Sequence, residues 1–200
     1  MISACVLLCL VVVSIRLMGG LWAKYVISEN AGDGARAAKF GLVSITETTG
    51  STYKIIPGVD ITKDPRLSFG GAETSCVVFL TVDLGNWTSV GNFGFKYGGT
   101  TGDRLQWSVD DTKWTFLKTD GTKCVYYTLV EANETLSDVP LIKDDKVTVD
   151  DDLIRSEMTA MVAVPEIVFE GIVMQTGGMP GEFTADADIA LAAWNMVSTH

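Results

Sequence analysis

Histidine is all but missing from this chain: His200, the last residue, is the only one. Zinc peptidases of the HExxH kind and catalytic triads built on an internal histidine are thereby excluded. Phosphate-binding signatures are missing as well. There is no Walker sequence and no Rossmann fingerprint, and the glycines of "NFGFKYGGTTGD" (92–103) lack both a strand-to-helix setting and a following Lys-Ser/Thr pair. Positive charge is scarce, with 15 Lys and Arg against 25 Asp and Glu and a formal net charge of -10. Such a balance argues against nucleic acid and anionic lipid as partners, since phosphates need a basic face. It suits a protein held in solution at a cell surface.

Cysteine is sparse too. Of four, Cys5 and Cys9 belong to an N-terminal apolar run, which leaves Cys76 and Cys124 in the body of the chain. Two cysteines in an exported domain can form a disulfide; the alternative is two buried free thiols that behave as small hydrophobes. No internal repeat and no low-complexity tract occurs.

The apolar run, Ile2 to Ile15, stops at Arg16 and is followed by Gly19, Gly20 and Ala23. It falls short of the ~20 residues of a membrane span and matches the hydrophobic part of a secretory signal. Residues 1–23 are therefore expected to direct export. A signal peptidase would cut between Ala23 and Lys24, and membrane contact would end with that cut. The alternative is that 1–23 stays as an apolar anchor, and no Lys or Arg precedes the run.

The body reads as short strands separated by turn chemistry, an all-β, jelly-roll-like sandwich over residues 39–200 with one or two short helices. "FGLVSIT" alternates Leu42, Ser44 and Thr46 against Val43 and Ile45, a half-buried strand. "YKIIPGVDITKDP" is a strand interrupted by Pro57-Gly58. "CVVFLTV" (76–82) and "EIVFEGIVMQ" (166–175) are apolar and β-branched enough for the interior of a sheet. "LGNWTSVGNFGFKYGGTTGD" predicts a long hairpin or exposed flap. "LQWSV", "KWTFLK" and "KCVYYTLV" predict strands joined by turns at Asp110-Asp111 and Asp120-Gly121. One helix is expected in "LIRSEMTAM" (153–161), capped by Asp151 or Asp152. Another is expected in "TADADIALAAWNMV", with Thr184 as cap and Ile189, Ala192, Ala193 and Met196 on one face.

Two clusters carry candidate chemistry. Asp144, Asp145, Asp150, Asp151 and Asp152 offer hard oxygens for Ca²⁺ but lack EF-hand spacing, so a solvated acidic edge is the plainer reading and no metal or other cofactor is expected. Trp87, Phe93, Phe95 and Tyr97, with Trp107 and Trp114 beyond them, are dense enough to form a surface for stacking on glycans; the alternative is that they fill the core.

The order of these segments resembles the TasA/camelysin family of exported proteins, which leave the cell through a dedicated (SipW-type) signal peptidase. The likeness rests on "GGLWAKYV" followed by "FGLVSIT", on "IIPGVDITKDPRLSF…CVVFLTV" and "WTFLKTDGTKCVYYTLVEANETLSDVPLIKDDKVTV", and on the closing "IVMQTGG…ADIALAAWNMV". The resemblance implies a secreted jelly-roll subunit that polymerises head-to-tail into fibres of an extracellular or biofilm matrix, with its own kind as partner. Such fibres grow when the freed N-terminus of one subunit completes the sheet of the next. Here Lys24, Tyr25, Val26 and Ile27 would be the donor strand, within an N-terminal strand-and-linker segment of residues 24–38. Camelysin was named as a metalloprotease, but without an internal histidine this chain is not expected to be an enzyme. The rival expectation is a membrane-anchored surface module that binds glycans through its aromatic residues.

Overall fold

The strand Cys76–Asp83 explains the architecture, because both of its faces are covered. Cys76, Val78, Leu80 and Val82 point into one hydrophobic cluster, while Val77 and Phe79 point into a second. A strand flanked by two layers has no side left for polar residues, which is why "CVVFLTV" does not alternate.

The structure is a computed structural model and describes residues 39–49, 54–99, 102–153, 166–179 and 183–198. The expected export segment 1–23, the donor strand Lys24–Ile27 and the helix expected after Leu153 lie outside the described residues. Lys39–His200 forms one compact unit.

In chain order the strands are β1 (Val43–Thr46), β2 (Ile61–Thr62), β3 (Arg66–Phe69), β4 (Cys76–Asp83), β5 (Thr88–Val90) and β6 (Gly94–Gly99). They continue as β7 (Gly102–Ser108), β8 (Thr115–Asp120), β9 (Lys123–Val130), β10 (Leu136–Pro140), β11 (Lys146–Val149) and β12 (Val168–Gln175), before the helix α1 (Asp186–Val197). All pairings are antiparallel and give three sheets: β12-β4-β9-β8, β1-β3-β10 and β2-β11-β7-β6-β5. The result is an all-β sandwich with a helix on one outer face.

The β1-β3-β10 and β2-β11-β7-β6-β5 sheets act as one curved layer, opposite the β12-β4-β9-β8 sheet, which holds the longest strands and is termed the large sheet. β2 and β3 follow each other closely and pair with β11 and β10, so one bent hairpin runs through both sheets. At the bend Lys63 N donates to Asp145 O (2.8 Å) and Leu141 N donates to Pro65 O (3.1 Å). Arg66 clamps the Asp145 carboxylate with two hydrogen bonds, Nη1–Oδ1 at 2.6 Å and Nη2–Oδ2 at 2.5 Å, the paired geometry for which a guanidinium is suited.

Between the layers lies the main core. Phe95 stacks on Trp107 at 4.4 Å, and Trp107 meets Phe169 edge-on at 5.7 Å, which joins β6 and β7 to β12. Gly171 on β12 makes the closest approach: a Cβ there would sit 2.7 Å from Val43 Cγ1 and 3.1 Å from Leu67 Cδ1. On the opposite face of the large sheet, α1 buries Ala190, Ala193 and Trp194 over Val77, Phe79, Val125 and Tyr127. Trp194 meets Phe79 at 5.2 Å, and its Nε1 donates to Asp120 Oδ2 at 2.7 Å.

Several local expectations change. The buried face of α1 is centred on Ala190, Ala193 and Trp194, rotated from the expected Ile189-Ala192-Ala193-Met196 stripe, because Trp194 is drawn to Phe79 and Asp120. Its first turn begins after Ala185, and Thr184 makes no capping bond. The β8–β9 hairpin turns where expected, but its two loop residues are Gly121, at φ +60°, and Thr122, with Asp120 closing the strand opposite Lys123.

Candidate functional site: the open edge of the large sheet

The strand β12 was expected in a sheet interior, and the structure places it at an edge. Its eight residues pair in unbroken register with β4, from Val168 opposite Asp83 to Gln175 opposite Cys76. No described strand pairs with its other side. Its composition is still that of an interior strand, because both faces carry apolar residues: Phe169 and Val173 toward the main core, Ile172 and Met174 toward α1. None of the eight is fully buried, whereas seven of the eight residues of β4 are. Val43 and Ile45 on β1, facing Gly171, are also only half-covered.

Sheet edges are normally blunted by brevity, proline, charge or bulges, because their free N–H and C=O groups invite another strand. The other edges here follow that rule. β2 has two residues, β5 three and β1 four. β8 carries a register shift between Phe116 and Lys118. β10 is irregular between Leu136 and Val139, carries Asp138 at φ 50°, and ends on Pro140. β12 has no bulge, no proline and a single charge, Glu170. That charge is drawn back across the sheet, where Lys123 Nζ on β9 donates to Glu170 Oε2 at 2.8 Å and its own pKa rises through that bond. Glu170 therefore does not guard the edge.

The remaining candidate residues fall differently. Trp87 is 5% exposed and Phe95 1%, while Phe93 and Tyr97 are half-buried against the main core, so the four do not form a stacking surface. Instead Trp87 meets Tyr97 at 6.0 Å and Trp107 at 5.9 Å, and its Nε1 donates to Glu166 O at 2.9 Å. The segment is a hairpin whose aromatic side chains alternate inward, which is what its period-two spacing of Phe93, Phe95 and Tyr97 encodes.

Cys76 and Cys124 are buried free thiols. They lie on neighbouring strands, but Cys124 stands opposite Val82, six residues along β4 from Cys76. At about 3.3 Å per residue that separation is near 20 Å, far beyond disulfide range. Burial pushes the Cys76 thiol up to about 11 and raises Cys124 as well.

The acidic run is divided. Asp145 is held by Arg66 at the bend of the curved layer, and Asp150 by Arg104 Nη1 of β7 (2.9 Å). Only Asp150, Asp151 and Asp152 lie close to one another, and two of these three are exposed.

Comparison of the chain with protein-family models, with curated proteins and with solved structures finds no match.

Proposed function

We propose that this chain is an exported structural subunit that polymerises by strand donation, the N-terminal strand Lys24–Ile27 of one copy pairing with the open edge of β12 in the next. The observation that carries the reading is the mismatch at β12: an interior-type strand, long and in perfect register, with one side unpaired among the described residues. An added strand would meet about four outward N–H and four outward C=O groups of an eight-residue edge. It would also cover the half-exposed Val43, Ile45, Phe169 and Val173.

The N-terminal sequence suits the donor role. Tyr25, Val26 and Ile27 are strand-forming, and Ser28–Ala38 separates them from the sandwich. Eleven linking residues reach at most on the order of 36 Å when extended, enough to cross to a neighbouring domain of this size. In this reading the export segment 1–23 acts as a safety catch, because the strand becomes free only when the cut after Ala23 is made. Secretion, assembly in an extracellular matrix or on the cell surface, and the likeness to the TasA/camelysin family belong to the same proposal.

The test compares protein beginning at Lys24 with protein beginning at Phe40 by negative-stain electron microscopy. Fibres from the first and single particles from the second are expected, and Val26→Pro in the longer protein should shorten or remove fibres by deleting a ladder donor. Single particles from both proteins, or undiminished fibres from the proline variant, would overturn the mechanism.

A further inference from the structure

Lys39, the residue at which the N-terminal stretch joins the sandwich, lies beside one end of the open edge. Its N donates to Glu73 Oε2 at 3.1 Å, and Glu73 N donates to Lys39 O at 3.1 Å. Two residues further on, Ser75 O accepts from Thr176 N (3.0 Å) and Thr176 Oγ1 (2.9 Å), immediately after β12 ends. Both contacts fall on residues 73–75, which carry the chain from β3 to β4 and span at most about 7 Å. The middles of the strands agree with their ends. Gly171, four residues before Gln175, faces Val43, four residues after Lys39. β1 therefore runs away from the Gln175 end of β12, and Val168 marks the other end of the edge, about 23 Å off. Ser28–Ala38, the tether of the donor strand, is joined at Lys39 and so starts from the Gln175 end of the edge in every copy.

With the tether rooted there, the direction of an added strand decides the shape of the assembly. A strand laid parallel to β12 ends, at Ile27, by the Gln175 end of the acceptor, where the acceptor's own tether also starts. Both neighbours of each copy then crowd one end, and two copies exchanging strands about a twofold axis satisfy them and close the assembly. A strand laid antiparallel ends by Val168 instead. The copy that gave it then lies beyond Val168, and the copy that receives the next strand lies beyond Gln175. That contact is heterologous and repeats without closing. The sheet favours the second direction. Every pairing in β12-β4-β9-β8 is antiparallel, and antiparallel pairing is slightly the more stable per residue.

We infer that the strand given by a second copy of this chain runs antiparallel to β12, with Lys24 toward Gln175 and Ile27 toward Val168. Each copy is thereby joined to its two neighbours at opposite ends of one edge, and the assembly stays open. This direction rests on the strand-donation reading above and adds to it the polarity of the joint and the openness of the fibre.

Pairs of introduced cysteines read the direction in protein beginning at Lys24, whose native Cys76 and Cys124 are buried. One protein carries Lys24→Cys with Gln175→Cys, a second Ser28→Cys with Val168→Cys. Each is treated after assembly with a short bis-maleimide, which tolerates a residue of register, and run on a denaturing gel. Both should give a ladder of covalent multimers. The crossed pairs, Lys24→Cys with Val168→Cys and Ser28→Cys with Gln175→Cys, should stay single chains. Val26→Pro added to either matched pair should remove its ladder, which links made by chance encounter would survive. Links from the crossed pairs alone would overturn the direction and leave strand donation standing. Fibres in the electron microscope with no link between chains from any of the four proteins would overturn donation to β12, and the direction with it. Sedimentation of the unsubstituted protein beginning at Lys24 needs no variant to fold: an open series of multimers is expected, and a discrete dimer as the end point would overturn the open joint.

Discussion

Replacing Gly171 with alanine measures how closely the two layers approach beside the open edge. Gly171 pairs opposite Leu80 in an extended strand, a backbone that any residue adopts. Alanine there should gain about 0.4–1 kcal/mol, because it narrows the unfolded ensemble. The new methyl group would lie 2.7 Å from Val43 Cγ1 and 3.1 Å from Leu67 Cδ1. Non-bonded carbons rest at about 3.5–4.0 Å, so the facing strands must yield by about 1 Å. Overpacking of that kind costs about 1–3 kcal/mol. Val43 is stiff at χ1, but β1 is a short edge strand that can shift, which favours the lower part of that range. The balance is a loss of about 1 kcal/mol, a fall in Tm of roughly 2–4 °C for a domain of this size. Urea unfolding followed by tryptophan fluorescence gives the equilibrium value. Val43→Ala in the same background should recover about 1 kcal/mol in a double-mutant cycle. Should Gly171→Ala raise stability by its backbone gain alone, with no coupling to Val43, the close approach at this flank is refuted.

Trp194→Ala should cost about 3–5 kcal/mol in chemical denaturation, because it empties the buried seat of α1 over Phe79; an unchanged midpoint would show that the helix does not dock there. The Asp64 carboxylate accepts from the Thr48 hydroxyl, from Thr49 N (2.9 Å) and Thr49 Oγ1 (2.9 Å), and from Thr48 N (3.0 Å), which hold its pKa far below the usual carboxylate range. A depressed folded pKa stabilises above the unfolded value of about 4 and loses that contribution progressively at lower pH, so Tm should fall on acidification below about pH 4 and fall less in Asp64→Asn. Identical Tm–pH curves for the two proteins would count against the loop clamp. Cys76 and Cys124 should resist a thiol reagent at pH 8 in the folded protein and react in denaturant, with labelled peptides assigned by mass spectrometry; fast labelling of either in the native state would contradict its burial.

Sequence by itself determined the class of this protein and most of its strands. Period-two alternation depends on neighbours along the chain, so "FGLVSIT" could be read without knowing its partner, and Asp120-Gly121 announced its hairpin. The excluded chemistries follow from an internal histidine and phosphate-loop patterns that this sequence does not contain, which folding does not alter. Tertiary structure alone decided who lies beside whom. "CVVFLTV" and "EIVFEGIVMQ" are both apolar and β-branched, yet among the described strands β4 has a neighbour on each side and β12 on one only. The separation of Cys76 from Cys124 is a matter of register between β4 and β9. The fate of Trp87 and Phe95 depends on which face of a hairpin meets the other layer, and the dispersal of the acidic run on where Arg66 and Arg104 come to rest. Each of these is a contact between residues distant in the chain, and composition and spacing encode only the propensity to form strands, not the order in which the strands assemble.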